Sequence, residues 1–362
     1  VFCSRIELDH FRNHEEMTFH WAPGVNLLSG PNGAGKTNAI DAIHYLCMSR
    51  SFVTASDQFV AHHGRTAFSL RGVFGGDIRS EFTLSCTYAR GDGKTFFVND
   101  SPLDRLADLI GRVPVVVLSP EDRKLTGEGP DERRSFIDAL ISQASAGYLQ
   151  DLMEYRRVVR QRNRILIAWA LHRTPIGASL DAWDDALVRT GSRILTKRRT
   201  ILAEFESYMA AEYEFMAGVG HHPTFKYKSS VEDEADFAEK LAAIRPKEME
   251  RGMTLIGPHR DDLIFYLDGI ELRRFGSQGQ HRLFAFALKL AQRRFYAEQL
   301  EDQPIFLLDD VFGDLDPGKI ATLLRMLDEQ NGQTFITAAN PQPLTNVLDF
   351  DGRHRHFTFH AK

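Results

Sequence analysis

The stretch GPNGAGKT, Gly30 to Thr37, restricts this chain more than any other part of it. It follows an apolar run, Val25-Asn26-Leu27-Leu28-Ser29, and precedes an apolar-periodic segment from Asn38 to Met48, so strand, tight loop and helix are predicted in succession. Glycines at 30, 33 and 35 let the backbone turn sharply, and its N–H groups then converge at a helix start, where the dipole favours an anion. That arrangement suits phosphate oxygens. Lys36 is expected to reach the β/γ-phosphates and the Thr37 hydroxyl to ligate Mg²⁺, which makes ATP and Mg²⁺ the expected cofactors. Nucleotide contacts are accordingly expected from Gly30, Pro31, Asn32, Gly33, Ala34, Gly35, Lys36, Thr37 and Asn38. The competing reading is a glycine-rich turn with a surface lysine, and the strand and helix on either side argue against it.

With 362 residues the chain is long enough for a full core and is expected to form two lobes. No apolar stretch approaches bilayer length, and Val1 to Ile6 lacks the apolar core of a signal peptide. Cys3, Cys47 and Cys86 are odd in number and far apart, without CxxC or Cys/His ligand spacing, so a reducing cytoplasm is expected and no membrane partner. The formal net charge of −5 does not advertise nucleic-acid binding, so any DNA contact must come from local basic patches.

Ser4 to Phe11 and Glu15 to Trp21 alternate apolar and polar residues around Arg12-Asn13-His14 and read as a hairpin. Arg12 and Asn13 are then either plain turn residues or nucleotide contacts. Ala67 to Phe74, Arg79 to Tyr88 and Thr95 to Val98 are strand-like, with turns at Gly75-Gly76-Asp77 and Gly91-Asp92-Gly93, and suggest an antiparallel subdomain beside the core sheet. Val113 to Leu118 reads as a buried strand. From about Asp131 to Ala217 the pattern is helical, broken at Pro175-Ile176-Gly177, and Leu180, Leu187, Ile194, Ile201, Tyr208 and Phe215 recur every seven residues. An antiparallel helical hairpin follows. Thr224 to Ser229 is a short strand and Glu234 to Ile244 a helix; Asp262 to Leu267 and Ile270 to Phe275 form a hairpin around Asp268-Gly269.

Two further motifs carry chemistry. Ile305 to Leu308 is an apolar strand ending in Asp309-Asp310, the Walker B form, which places carboxylates where ligands bind in an open α/β sheet. Asp309 is expected to hold Mg²⁺ and Asp310 to polarise the attacking water, making Lys36, Asp309 and Asp310 the catalytic set and Thr37 with Asp309 the metal set. GSQGQ puts Ser277 and Gly279 directly before a helix running from Gln280 to about Leu300, a second helix N-terminus that favours an anion. One nucleotide has no need of two such cradles from one chain. If the second serves the γ-phosphate held by a partner, ATP joins a two-fold homodimer, with Gly313-Asp314-Leu315-Asp316 at the interface. A plain N-cap is the alternative.

The ordered set of Walker A, signature, Walker B and Asp-containing loop resembles the ABC-type ATPase class that includes SMC proteins. DHFRNH, NGAGKTNAIDAIHYL, SRSF, VVVLSPED, GPDERRSFID, GPHRDDL, SQGQHR with LKLA, and LLDDVFGDLD together resemble the RecF family of bacterial recombination mediators. The resemblance implies an α/β, ABC-type ATPase head of the P-loop NTPase kind, built from both chain ends, with an antiparallel β subdomain and an inserted helical lobe. The expected division is 1–125 and 253–362 for the head and 126–252 for the lobe. It also implies ATP-dependent dimerisation, a weak DNA-dependent ATPase, and binding to double-stranded DNA and its junctions with single strand at gaps. Cooperation with RecR and RecO, and through them with RecA and single-strand-binding protein, and a nucleoid-associated cytoplasmic location, complete the expectation. By resemblance, Arg12 and Asn13 lie on the nucleotide side, and Ser277, Gly279 and Gln280 meet the partner's nucleotide. Ser119 to Glu121 lies near the Q-loop position but offers no glutamine. Asp310 stands where transporter ATPases usually carry Glu, and Thr337 to Asn340 offers no switch His; both departures favour slow turnover, with ATP as a switch.

Arg156, Arg157, Arg160, Arg162 and Arg164 cluster on the first long helix and Lys197-Arg198-Arg199 on the second. Arg156, Arg157, Arg160, Arg164, Lys197 and Arg198 are the expected contacts to DNA phosphates, with solvated helix faces as the alternative. Two other functions compete. A small-molecule phosphotransferase of the P-loop class has no use for the Ser277 cradle, and an ABC transporter subunit is disfavoured by the helical insertion and the missing switch His.

Overall fold

The structure, a computed structural model, describes residues 1–76, 80–172, 177–314, 316–350 and 352–360. Backbone contacts group them into two compact units, Val1–Asp122 with Lys289–Lys362, and Arg123–Leu288. In the first unit the N-terminal alternation makes β1 (Phe2–Phe11) and β2 (His14–His20), and β3 (Val25–Ser29) leads through the glycine-rich loop to α1 (Lys36–Met48). Next come β4 (Ala67–Gly75), β5 (Phe82–Ala89), β6 (Gly93–Val98), β7 (Ser101–Pro102) and β8 (Val115–Leu118). The antiparallel subdomain is a six-stranded sheet in the order β2-β1-β4-β5-β6-β7, so the N-terminal hairpin belongs to it. Of the predicted strand and turn residues here, Asp77 and Arg79 lie outside the described residues. Helix α1 is apolar nearly all round and buried from Ala39 to Met48 because it has neighbours on two sides, packing on β1, β4 and β5 and on β8.

The second unit contains α2 (Arg123–Gly127), α3 (Pro130–Ala144), α4 (Ala146–His172), α5 (Gly177–Ala217), β9 (Pro223–Lys228), α6 (Glu234–Arg251), β10 (Asp262–Leu267), β11 (Ile270–Glu271), α7 (Leu272–Phe275) and the start of α8 (Gln278–Leu300). Ion pairs Arg162–Asp184 and Arg193–Asp151 climb α4 as they descend α5, so the two helices are antiparallel. The break at Pro175-Ile176 lies outside the described residues. The seven-residue seam of α5 is buried at Leu180, Leu187, Ile194 and Ile201, then shifts to Phe205, Met209, Tyr213 and Met216 and leaves Phe215 exposed. A straight helix drifts about 20° per heptad, and here the drift is not taken up by supercoiling. Helix α6 runs past the predicted end at Ile244, through Pro246, to a left-handed Gly252. Buried Glu248 anchors that last turn by accepting from Arg162 and from the Leu255 N–H.

Two expectations are corrected in this unit. The segment 253–288, assigned from sequence to the head, groups with the helices because β10 pairs along its whole length with β9. The hairpin predicted through Phe275 ends at Glu271; Leu272–Phe275 is a helical turn closed by the Gly276 N–H on the Leu272 carbonyl.

The remaining elements return to the first unit: β12 (Ile305–Asp309), α9 (Pro317–Glu329), β13 (Thr334–Ala338), α10 (Gln342–Thr345) and β14 (Arg355–Thr358). They complete a wholly parallel sheet in the order β14-β3-β13-β12-β8. Strands β3, β12 and β13 are buried at every residue, which is why they are mainly apolar and do not alternate with exposed polar residues. Helix α1 packs on β13 as well, so it lies between the two sheets. Edge strand β14 carries Phe357 onto Trp21 and Phe19. Its polar sequence gave no period-two signal.

Candidate nucleotide site

The loop from Gly30 to Gly35 is held in a shape that only glycine tolerates at its two ends. Gly30 has φ +145°, and a Cβ there would lie 2.2 Å from the Phe359 carbonyl oxygen; Gly35 has φ +101°, and a Cβ there would lie 2.7 Å from the Asn13 amide. Pro31, Asn32 and Gly33 are exposed at the crest, and Ala34 to Lys36 are buried beneath it. The Lys36 ammonium donates to the carbonyls of Gly30 at 2.7 Å and Pro31 at 2.9 Å. Burial pushes its pKa down, and Asp310 and Asp309 oppose that shift.

Strand register brings the second motif to the loop. Leu28 on β3 pairs with Thr337 on β13, and Thr337 pairs with Asp309 on β12, so the Walker A and Walker B strands are separated by one strand. The gap is closed by side chains. Asp309 Oδ1 accepts from the Thr37 hydroxyl at 2.7 Å and from the Thr337 hydroxyl at 2.7 Å. Burial raises the Asp309 pKa, while the two hydroxyls lower it, Asp310 raises it and Lys36 lowers it. Asp310 is exposed and left-handed, φ +50°, with its N–H on the carbonyl and hydroxyl oxygens of Thr337. Thr337 is therefore a site residue that the sequence reading noted only for the missing histidine. Its position at the C-terminal end of an apolar strand was the available signal.

The turn of the N-terminal hairpin clasps the loop from the side. Asn13 accepts from the Asn38 amide at 2.7 Å and donates to the Gly33 carbonyl at 3.3 Å, and His14 Nε2 donates to the Gly35 carbonyl at 3.2 Å. Arg12, left-handed at φ +56°, turns to helix α1 instead. Its guanidinium donates to buried Asp41 at 3.0 Å, to Ser51 at 2.7 Å and to the Phe59 carbonyl at 3.2 Å. Asp41 also accepts from Ser51 and the Phe52 N–H, so Arg12 and Asp41 fasten the turn to the helix that follows the loop. Asp41, missed from sequence, holds a position on α1 where the apolar pattern left no cue.

In the second unit, Ser277 and Gln280 form a reciprocal capping box. Gln280 Oε1 accepts from the Ser277 N–H at 2.8 Å, and Ser277 Oγ accepts from the Gln280 N–H at 3.2 Å. The first-turn N–H groups of Gln278 and Gly279 have no partner within a helix, and both residues are exposed. The N-cap reading and the anion-cradle reading are thus one arrangement.

The expected DNA contacts divide. Arg156, Arg157, Arg160, Arg164 and Lys197 are exposed. Arg198 is not, and its assignment as a DNA contact is corrected: it is 1% exposed and donates to Asp138, the Tyr148 hydroxyl and the Pro258 carbonyl, with Asp261 at 3.5 Å. Arg162 is buried likewise, between Asp184, Glu248 and Thr254. The GPHRDDL segment supplies sockets for these helices: Asp261 to Arg198, Asp262 bidentately to Arg133, and His259 to the Tyr155 hydroxyl at 2.6 Å.

A family model described as the RecF/RecN/SMC N-terminal domain matches residues 2–353. The DNA replication and repair protein RecF of Salinibacter ruber is 42% identical over 358 residues, covering 95% of this chain and 86% of its own length. The chain belongs to the RecF family. Another RecF, from Chloroherpeton thalassium, is 38% identical over 354 residues, covering 95% of this chain and 96% of its own. Among solved structures, the recombination mediator RecF–ATP of the RecFOR pathway is similar with a TM-score of 0.89 at 28% identity, covering 94% of this chain and 92% of that one. An Smc head domain from Pyrococcus furiosus matches with a TM-score of 0.56 at 14% identity, covering 96% of this chain and 92% of that one, a likeness of fold alone. The RecF-family chain therefore has the ABC/SMC-type ATPase head fold that its motifs led one to expect. No helix among its described residues is long and apolar enough to cross a membrane.

Proposed function

We propose that this chain is an ATP-switched DNA-binding protein of recombinational repair, dimeric when ATP is bound. One observation carries the reading: a complete phosphate loop with its Walker B carboxylate in one unit, and a second, exposed and serine-capped helix start in the other. ATP lies on the loop of one copy, and the Ser277–Gln280 turn of a second copy meets its γ-phosphate. Lys36 exchanges the carbonyls of Gly30 and Pro31 for β/γ-phosphate oxygens. Thr37 and Asp309 offer hard oxygen donors, and the described residues hold no group of three or more His, Cys, Asp or Glu that forms an all-protein metal cage. That donor set fits Mg²⁺ completed by phosphate and water, where the ion would neutralise phosphate charge. Asp310 holds the attacking water. One methylene shorter than Glu, it favours slow, DNA-dependent hydrolysis, with ATP acting as a switch.

Exposed cations away from the outer face of α4, Lys197 among them, contact phosphates without reading sequence, so binding to duplex DNA and to single-strand/double-strand junctions at gaps falls steeply with salt. The RecFOR pathway named for the similar structure supports placing this chain with RecR and RecO; action ahead of RecA loading and a nucleoid-associated location belong to the same proposal. Sedimentation of Asp310→Asn with and without ATP tests the dimer; an ATP-dependent dimer is expected, and a persistent monomer sinks the reading. Ser277→Arg is expected to keep ATP binding and lose dimerisation. Loss of ATP binding in that variant would mean the signature acts within its own chain.

A further inference from the structure

One face of α4 has no part in the nucleotide site. Met153, Arg157, Arg160, Arg164, Ile167 and Leu171 follow one another at spacings alternating between four and three, and all six are exposed. That is the periodicity of a coiled-coil seam. It lies on the outside of a helix whose inner face, including Leu152, Tyr155, Val158, Arg162 and Leu166, is already buried. The outer seam spans about 27 Å at 1.5 Å per residue. Its ends are apolar, with Met153 49%, Ile167 48% and Leu171 70% exposed, and its middle is three guanidinium groups. None of the three is consumed by a carboxylate in a described ion pair: Arg157 lies over the Trp183 ring, Arg164 donates to Gln161 at 3.4 Å, and Arg160 has no ion-pair partner among the described residues.

Beside the first half of the seam lies a cavity of about 560 Å³, lined by Arg134, Arg156, Arg160 and Arg198 together with apolar Leu152 and Met153. The carboxylates on its wall are Asp131 and Asp138; His259, pushed down to about 4 by burial, is neutral at pH 7. Four arginines against these two aspartates and Asp261, which also faces Arg198, leave one positive charge in excess. Asp138 holds Arg156 and Arg198 in place through its two oxygens, so the guanidinium groups are set before any ligand arrives.

We infer that this face of α4 docks a helix of a partner protein, acidic at its centre and apolar at both ends. A phosphate backbone is uniformly charged and would use the arginines while leaving Met153, Ile167 and Leu171 in water. A helix in the seam uses both kinds of residue, burying its apolar ends and taking register and direction from the charges. A second copy of this chain does not fit, because a two-fold antiparallel pairing about Arg160 would set arginines against arginines. Arg156, Arg157, Arg160 and Arg164 thereby pass from expected DNA contacts to a protein-docking surface, independently of whether the ATP dimer forms.

Fluorescence anisotropy of the full chain tests this with a designed helical peptide of about 18 residues, glutamates at its central seam positions and leucines at its ends. A scrambled peptide and one with lysine in place of glutamate serve as controls. The acidic peptide is expected to bind. Arg160→Glu/Arg164→Glu should weaken it by about tenfold or more and bind the lysine peptide instead; Met153→Asp/Leu171→Asp should weaken both. ATP-dependent binding to duplex DNA by the same variants is expected to stay within about twofold of the parent. The proposal is overturned if the acidic peptide binds no better than the scrambled one. It is also overturned if duplex binding falls in step with the charge reversal, which assigns the face to DNA, or if the seam variants change the sedimentation of the nucleotide-free chain, which assigns it to self-association. Both pairs are exposed, so matched circular dichroism and melting midpoints are expected, and either pair alone decides the outcome.

Discussion

The hydroxyl of Thr37 donates to Oδ1 of Asp309 at 2.7 Å across an intervening strand, and Thr337 on that strand gives its own hydroxyl to the same oxygen. Two donors on one buried carboxylate oxygen fix the carboxylate's rotation and offset part of the cost of burying its charge. The residue that starts the helix and the residue that ends the strand thus form one unit at the sheet's crest.

Thr37→Val is therefore expected to separate metal from nucleotide. Titration with a fluorescent ATP analogue in excess chelator should give an affinity within about twofold of the parent, while the gain on adding Mg²⁺ is lost. A full Mg²⁺ gain in the variant would remove Thr37 from the metal set.

Asn13→Ala removes the amide that joins Asn38 to the Gly33 carbonyl. Two hydrogen bonds that order the loop are lost, and ATP affinity is expected to drop about tenfold, near 1.4 kcal/mol, with an unchanged melting midpoint. Unaltered affinity would return Asn13 to the status of a turn residue.

Arg198→Met leaves Asp138 and Asp261 without their buried cation, and such losses cost about 3–5 kcal/mol. The melting midpoint should fall by many degrees, whereas Lys197→Met, on the exposed side of the same turn, should leave it unmoved. The salt dependence of DNA binding at low temperature should be the same for Arg198→Met and the parent. A shallower slope would restore Arg198 as a phosphate contact.

His259 is lowered from 6.5 to about 4 by burial, and His44 from 6.5 to about 3 by burial and by Arg50. A lowered folded-state value means that the unfolded chain binds the proton more readily. The stability held by each neutral ring is then complete above pH 6.5 and declines as pH falls toward the folded value. For His259 the whole effect is on the order of 3 kcal/mol. Urea midpoints at pH 7.5 and pH 5 should differ by less in His259→Gln than in the parent; equal differences would dismiss the assignment.

What could be read in advance was chemistry confined to a few neighbouring residues. The loop glycines, Lys36, Thr37, the Asp309-Asp310 pair and the Ser277–Gln280 box each declare themselves because their partners lie within a turn or a strand end. Strand β14 was missed because RHFT is polar at an edge, and its one anchor, Phe357, finds Trp21 more than three hundred residues away. Arg198 was misassigned although a signal existed: it sits four residues after Ile194 and three before Ile201, on the buried seam of α5. What the sequence could not display was Asp138 and Asp261, distant carboxylates that make a cation acceptable there. The Asp41 partner of Arg12, on the helix after the loop, was likewise not displayed by the sequence.

Strand β3, which presents the phosphate loop, has β13 on one side and β14 on the other, both more than three hundred residues later in the sequence. During synthesis on the ribosome, the hairpin strands and the helices of the second unit have their sequence-local partners early, while β3 waits with both edges bare. The strand behind the phosphate loop is thus completed by segments more than three hundred residues further along, so ordering of the loop is expected to come late in folding, after the second unit has formed.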